Sequence, residues 1–136
     1  MNLTRKQIQE IIDYWHAAGF RDWKTAQSLW ELKRYDACLF FCHLTIEKLL
    51  KGLVVIKTKE PSPYIHNLEK LAHLAEITLS AETINNLRTI TEFNIAGRYD
   101  DKKFAFYKKC TKNYSKKYLE ISKKIIIWLK KEYQKN

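Results

Sequence analysis

The segment that decides the fold is residues 35–57, which read YDACLFFCHLTIEKLLKGLVVIK. Apolar side chains occur on every side of it, as in a helix that is surrounded by other helices or lies at a subunit contact. One histidine and three charged residues interrupt the apolar run: His43, Glu47, Lys48 and Lys51. Charges at the centre of the longest apolar stretch argue against a membrane span. The segment therefore predicts a buried central helix.

Helical periodicity continues on both sides of this segment. From Thr4 onward apolar residues fall three and four positions apart, and Gly19 is compatible with either one long helix or a kinked pair. After a proline loop at residues 61–63, further helices begin near His66 and after Ser80, a residue favoured at N-caps. A last long helix is expected to carry on one side Phe104, Tyr107, Tyr114, Tyr118, Ile121, Ile125 and Trp128.

These patterns predict an all-α fold, an up-and-down bundle of four to five helices. No stretch alternates as a strand would, and three Gly and two Pro among 136 residues do not suit a turn-rich β protein. The length fits one domain, over residues 1–136. Its start shows no export signal, and three cysteines read as reduced thiols, so we expect a cytoplasmic protein that makes no membrane contact.

Positive charge is concentrated at the end of the chain. The formal net charge is +10, and residues 101–136 contain 12 Lys against three acids. Lysines recur every seven positions, at Lys109, Lys116, Lys123 and Lys130, which we call the lysine stripe; with Lys102 it would extend roughly 40 Å along a continuous helix. A stripe of one sign is typical of surfaces that attract nucleic acid or another polyanion, although a solvated helix face would also explain it.

Three groups of polar residues are candidates for a site. His43, Glu47 and Lys51 follow at four-residue intervals on one helix edge, where Glu47 and Lys51 form either a structural ion pair or part of a polar site. His66 and Asn67 lie at a helix start, which suits either anion binding or helix capping.

The third group, Arg98-Tyr99-Asp100, joins two predicted helices. A guanidinium beside a tyrosine ring can bind phosphate and stack on a base. Alternatively, Arg98 bridges to Glu47 or another acid inside the bundle.

Common cofactor and enzyme motifs are missing from the sequence. The glycines are scattered, so there is no phosphate-binding Gly-rich loop, and no helical two-His zinc motif is present. Cys38, Cys42 and His43 could suggest a metal, but small cysteines packed in a core helix explain the spacing better. We therefore expect no metal, no cofactor and no conventional catalytic residue.

Several segments together resemble the HEPN domain family. They are Ile46-Glu47-Lys48-Leu49-Leu50-Lys51, then His66-Asn67-Leu68, then Arg98-Tyr99-Asp100, with the apolar run before Glu47 and the Trp-containing segments at Tyr14-Trp15 and Asp22-Trp23. Their order and separation carry the resemblance, which extends from about Tyr14 to Trp128.

The resemblance implies a helical bundle that forms a homodimer. Many relatives are encoded beside a small nucleotidyltransferase, and some such pairs act as toxin and antitoxin. Several branches are metal-independent ribonucleases that use an Arg followed by His after four to six residues. This chain lacks that motif, since eight residues separate Arg34 from His43 and no His follows Arg98.

The leading hypothesis is a non-catalytic, dimeric HEPN module that binds nucleotides or RNA or docks a nucleotidyltransferase. Its ligand-binding residues are predicted to be Glu47, Lys48, Lys51, His66, Asn67, Arg98, Tyr99 and Asp100, with the lysine stripe contacting nucleic acid. Two alternatives remain open. One is a divergent ribonuclease in which His66 or Tyr99 replaces the missing histidine, and the other is a purely structural dimerisation subunit.

Overall fold

The computed structural model describes residues 2–135, and this part of the chain contains six α-helices and no strand. The helices are α1 (Arg5–Glu31), α2 (Tyr35–Thr58), α3 (Leu68–Leu74), α4 (Ala81–Arg98), α5 (Asp100–Lys109) and α6 (Lys112–Gln134). The predicted all-α bundle is confirmed. Four helices are long, and the short ones, α3 and α5, have seven and ten residues.

Helix α2 lies at the centre of the bundle. It packs against α1, α3, α4 and α6, and its most extensive contact is with α1. Leu39, Ile46 and Leu49 have no exposed surface, which accords with the apolar composition of this helix on every side. A loop of only three residues, 32–34, joins α1 to α2, as is usual for antiparallel neighbours in a bundle.

Helix α1 continues without interruption through Gly19. It begins at a capping box, in which the Thr4 side chain accepts from the Gln7 backbone and the Gln7 side chain accepts from the Thr4 backbone. Gly19 is buried, and a Cβ there would lie 2.9 Å from Cδ2 of Leu49 on α2. The glycine thus serves close packing of two helices, and the kinked-pair alternative does not occur.

The last long helix expected from the sequence is divided in two. Helix α5 ends at Lys109, and after two residues Thr111 caps α6, its hydroxyl accepting from the Tyr114 backbone at 3.2 Å. The prediction of one continuous helix is therefore wrong. Phe104 and Tyr107, expected on its apolar side, are 64% and 62% exposed.

The described helices differ from membrane spans. Within residues 2–135 none of them combines the length and the apolar character needed to cross a bilayer.

Candidate functional site

A buried carboxylate, that of Glu47 on α2, organises the main polar cluster. One of its oxygens lies 2.9 Å from Nδ1 of His66, and the other accepts from Nζ of Lys51 at 3.1 Å. A carboxylate accepts hydrogen bonds, so Nδ1 of His66 carries the proton and donates it. We call Glu47, Lys51, His66 and the neighbouring His43 the Glu47 cluster.

The ammonium group of Lys51 is enclosed on several sides. Besides Glu47 it faces the rings of Trp15 at 5.3 Å and Tyr64 at 5.6 Å, measured to the centroids. Its side chain is only 6% exposed. The ion pair that the structural interpretation required is thus present, and two aromatic rings add cation–π stabilisation to it.

His43 ties α2 to the loop before α3. Its Nε2 lies 3.2 Å from the carbonyl oxygen of His66, so this nitrogen donates, and 3.7 Å from Glu47. Burial lowers the pKa of His43 to about 4. The Glu47 carboxylate and the His66 carbonyl raise this pKa, whereas electrostatic interactions with the His66 side chain and Arg98 lower it. The ring is therefore neutral near pH 7, and within residues 2–135 its Nδ1 has no hydrogen-bond partner.

Lys48 points away from this cluster. Its Nζ lies 2.5 Å from Oδ2 of Asp22 on α1, and the Asp22 side chain is 8% exposed. The pair joins α1 to α2 beside the buried cluster. Lys48 therefore already has an intramolecular anion, which a phosphate would have to displace.

Asn67 is the N-cap of α3. Its carboxamide oxygen accepts from the Lys70 backbone at 3.0 Å, and the Leu68 amide donates to the Thr91 hydroxyl at 3.1 Å. Two of the free amides at this helix start therefore have intramolecular partners. Of the two alternatives for this helix start, anion binding and helix capping, Asn67 shows capping. The side chain of His66 is hydrogen-bonded to Glu47.

Arg98, the last residue of α4, is held without a carboxylate. Its Nε donates to Oδ1 of Asn94 at 2.6 Å, and its guanidinium carbon lies 5.5 Å from the Phe40 ring centroid. No acid of the described chain forms an ion pair with it, so the alternative in which Arg98 bridges to Glu47 or another acid is wrong. The guanidinium keeps further donors, and the next residue in the chain, Tyr99, is 56% exposed.

Asp100 does not join Arg98 either. It begins α5, its side chain is 99% exposed, and it lies 3.4 Å from Nζ of Lys103. The predicted ligand-binding residues therefore do not form one group. Glu47, Lys51 and His66 belong to the buried Glu47 cluster, whereas Lys48 pairs with Asp22 and Asn67 caps α3. Arg98 and Tyr99 form an exposed group, and the charge of Arg98 still acts on His43.

The lysine stripe is exposed but not continuous. Lys109 ends α5, where its Nζ lies 5.4 Å from the Tyr114 ring, whereas Lys116, Lys123 and Lys130 belong to α6. Lys130 reaches the Phe20 ring of α1 at 5.7 Å. The straight stripe of roughly 40 Å predicted for a single helix is thus replaced by a shorter one on α6.

Several side chains in these groups are absent from the predicted binding set, among them His43, Asn94 and Phe40. Trp15 and Tyr64 flank Lys51, and Asp22 holds Lys48. Tyr64 lies two residues before His66, so its proximity could have been inferred from the sequence. Trp15 and Asp22 come from α1, and only the packing of α1 on α2 brings them near.

The described residues contain no group of three His, Cys, Asp or Glu side chains arranged to hold a metal ion. Cys38 and Cys42 are free and buried in the core, as is Cys110 after α5. Burial raises the pKa of the Cys110 thiol to about 12.

Fold and polar clusters together define a helical bundle with a central apolar helix and a buried Glu-Lys-His arrangement. The model of the HEPN domain family matches residues 12–133, and the chain belongs to that family. Among solved structures, the fold is similar to that of TT1696 from Thermus thermophilus. The identity is 19%, the TM-score is 0.73, and the match covers 88% of this chain and 96% of the other. A comparison with curated proteins gives no match.

Proposed function

We propose that the protein is a non-catalytic HEPN module that binds nucleotides or RNA through the group around Arg98. The observation that carries the proposal is that Arg98 is held in place by uncharged groups. Asn94 and Phe40 fix the guanidinium, and no described acid neutralises it. An arginine held in this way keeps donors for a phosphate, the anion whose geometry it matches best.

The surroundings of Arg98 support the same ligand. Tyr99 next to it exposes more than half of its surface, and a tyrosine ring can stack on a base. The 36 residues that follow Asp100 carry 12 Lys against three acids, which attracts phosphates over a longer range. In this proposal the Glu47 cluster is structural, and it holds α2 against the loop before α3.

Calorimetry with nucleoside mono- and triphosphates and short RNA tests the proposal. We expect heat of binding from the native chain and a loss of roughly ten-fold or more in affinity for Arg98→Ala. Arg88→Ala is the matched control, since Arg88 lies on the same helix but is bound by Glu69 at 2.8 Å. Absence of heat with every ligand, or equal losses in the two variants, contradicts the proposal.

Two partners complete the proposal, and what is known of HEPN relatives supports both. The protein forms a homodimer, and it docks a small nucleotidyltransferase, in a pair of the toxin–antitoxin type. Light scattering of the purified protein measures the first, and a dimer mass is expected. The second is tested by identifying the neighbouring genes and co-expressing any nucleotidyltransferase among them, with co-purification as the expected result. A stable dimer that binds neither nucleotide nor enzyme would instead identify a structural dimerisation subunit.

One observation favours a second candidate, a divergent ribonuclease. Because Nδ1 of His66 donates to Glu47, its Nε2 is left as a proton acceptor, and the His66 side chain is 36% exposed. A carboxylate that orients an imidazole in this way is typical of general bases. Incubation with cellular RNA in EDTA decides between the candidates: cleavage lost in His66→Ala supports the enzyme, and intact RNA excludes it.

A further inference from the structure

Two aromatic rings on α5 lie in solvent, where they contribute little to the fold. Phe104 and Tyr107 are 64% and 62% exposed, whereas Phe106 between them is buried against the core. The rings are almost parallel, with planes at 15° and centroids 6.4 Å apart. We call this pair the α5 platform. Large exposed aromatic surface at one place usually marks a binding surface.

Lysines surround the platform. Helix α5 contains Lys102, Lys103, Lys108 and Lys109 in ten residues, and its two acids are confined to the first turn. One of these acids, Asp100, already lies 3.4 Å from Lys103. Nζ of Lys108 lies over the Phe104 ring, 4.5 Å from its centroid, so this cation covers one face of the ring. A base stacks on that face when the flexible lysine side chain moves aside to a phosphate.

This combination favours nucleic acid over a protein partner. A protein that covered Phe104 would bury the Lys108 ammonium, and lysine is depleted from the cores of protein interfaces for this reason. A single nucleic-acid strand instead supplies a base for each ring and a phosphate for each cation. Because the two rings are nearly parallel, successive bases can stack on them without turning relative to each other.

We infer that the α5 platform binds single-stranded RNA, with Phe104 and Tyr107 stacking on unpaired bases and Lys103 and Lys108 contacting phosphates. The inference rests on the proposed function, because α5 begins two residues after Arg98 and the two groups therefore lie on adjoining segments of the chain. Paired bases cannot offer their faces to the rings, so the site selects single strands over duplex.

Fluorescence anisotropy with three labelled probes tests the inference. The probes are a twelve-nucleotide single-stranded RNA, the same strand in a duplex, and an abasic ribose-phosphate strand of equal charge. For Phe104→Ala/Tyr107→Ala we expect affinity for the single strand to fall roughly ten-fold or more. Affinity for the duplex and the abasic strand stays unchanged. The slope of log affinity against log salt concentration also stays unchanged, since no cation is removed.

Matched variants complete the experiment. Tyr14→Ala removes a ring of similar exposure, 59%, from α1 and should leave all binding unchanged. Phe104→Tyr/Tyr107→Phe keeps both rings and should restore binding. Circular dichroism confirms that each variant folds, as expected for exposed positions.

Each other outcome has a defined meaning. An equal loss for all three probes, or no loss for the single strand, overturns the platform while leaving the proposed function intact. Unchanged RNA binding with a lower mass in light scattering would make the surface a contact between two copies of this chain. If the native protein binds no probe and no nucleotide, the proposed function fails as well.

Discussion

At the scale of single residues, the buried carboxylate of Glu47 accepts hydrogen bonds from Lys51 and His66. Its side chain is 7% exposed and that of Lys51 is 6% exposed, so neither charge can be stabilised by bulk water. Loss of one partner from such a pair is costly because it leaves an uncompensated charge in the interior.

We therefore expect Glu47→Gln to lower the free energy of unfolding by about 3 kcal/mol. The double variant Glu47→Gln/Lys51→Met should be less destabilised than Glu47→Gln, because it no longer contains the buried ammonium. Urea denaturation measures both, and Glu10→Gln on the exposed face of α1 serves as the control. Equal destabilisation of the single and double variants would show that the ion pair does not matter.

His43 makes stability depend on pH in a defined direction. Burial lowers its pKa to about 4 in the folded chain, against about 6.5 when unfolded. Between these values the unfolded state binds more protons, so the contribution is complete above pH 6.5 and is lost as the pH falls toward 4. The full loss is about 3 kcal/mol, and the nearby charges of Glu47, His66 and Arg98 modulate it.

Urea denaturation at several pH values checks this prediction. His43→Gln should flatten the decline between pH 6.5 and 4, while His73→Gln, which removes an exposed imidazole from α3, should retain it. A decline of the same size in His43→Gln and the native chain would assign the pH dependence to other groups.

Spacing along one helix was enough to predict the pair of Glu47 and Lys51, since they are one turn apart. It could not show that His66 is the second partner of Glu47, because this contact joins residues 19 positions apart. The alternative in which Arg98 bridges to Glu47 is wrong for a related reason. Lys51 and His66 already occupy both oxygens of the carboxylate.

At the scale of helices, the contact between α2 and α6 depends on a glycine. The Tyr133 hydroxyl donates to the Leu49 carbonyl at 2.6 Å, and a Cβ at Gly52 would overlap that hydroxyl. The glycine thus allows the tyrosine of α6 to lie directly on the α2 backbone.

Gly52→Ala is expected to lower stability by about 1–3 kcal/mol, the usual cost of overpacking, even though Ala favours a helix by about 1 kcal/mol. Gly52→Ala/Tyr133→Phe removes the overlapping hydroxyl and should lose less than the two single variants together. Thermal unfolding provides the comparison. A stabilised Gly52→Ala would mean that Tyr133 moves aside without cost.

The starts of three of the six described helices were predictable from residues that are favoured as N-caps. Thr4, Asn67 and Ser80 are N-caps in the structure. The break before α6 was missed although Thr111 is also a favoured cap, because the lysine rhythm and the apolar pattern continue across it. Periodicity reports which face is apolar, and it does not report a change in helix direction.

At the scale of the whole molecule, the charge distribution was readable from composition alone, but its arrangement was not. The excess of lysine lies after Asp100, as counted from the sequence. Whether these lysines lie near Arg98 depends on how α5 and α6 pack, which no local pattern specifies.

The stripe lysines of α6 should contribute to RNA affinity through salt-dependent binding of phosphates. We expect Lys116→Glu/Lys123→Glu/Lys130→Glu to reduce the slope of log affinity against log salt by about 2, because each neutralised phosphate of a single strand adds roughly 0.7 to that slope. The control changes net charge equally on exposed positions of α1: Arg5→Glu/Lys6→Glu/Lys24→Glu. If both triple variants behave alike, net charge alone governs binding; an unchanged slope reduces the stripe to a solvated face.

The reaction rate of the three buried cysteines with a thiol reagent can report how often the folded bundle opens. Cys38, Cys42 and Cys110 have 0%, 0% and 6% of their surface exposed, and alkylating reagents need both access and a thiolate. A maleimide dye should therefore react with native protein only as fast as the bundle opens, and with urea-unfolded protein at once. A cysteine introduced on the outer face of α6 could then be labelled selectively without removing the natural thiols.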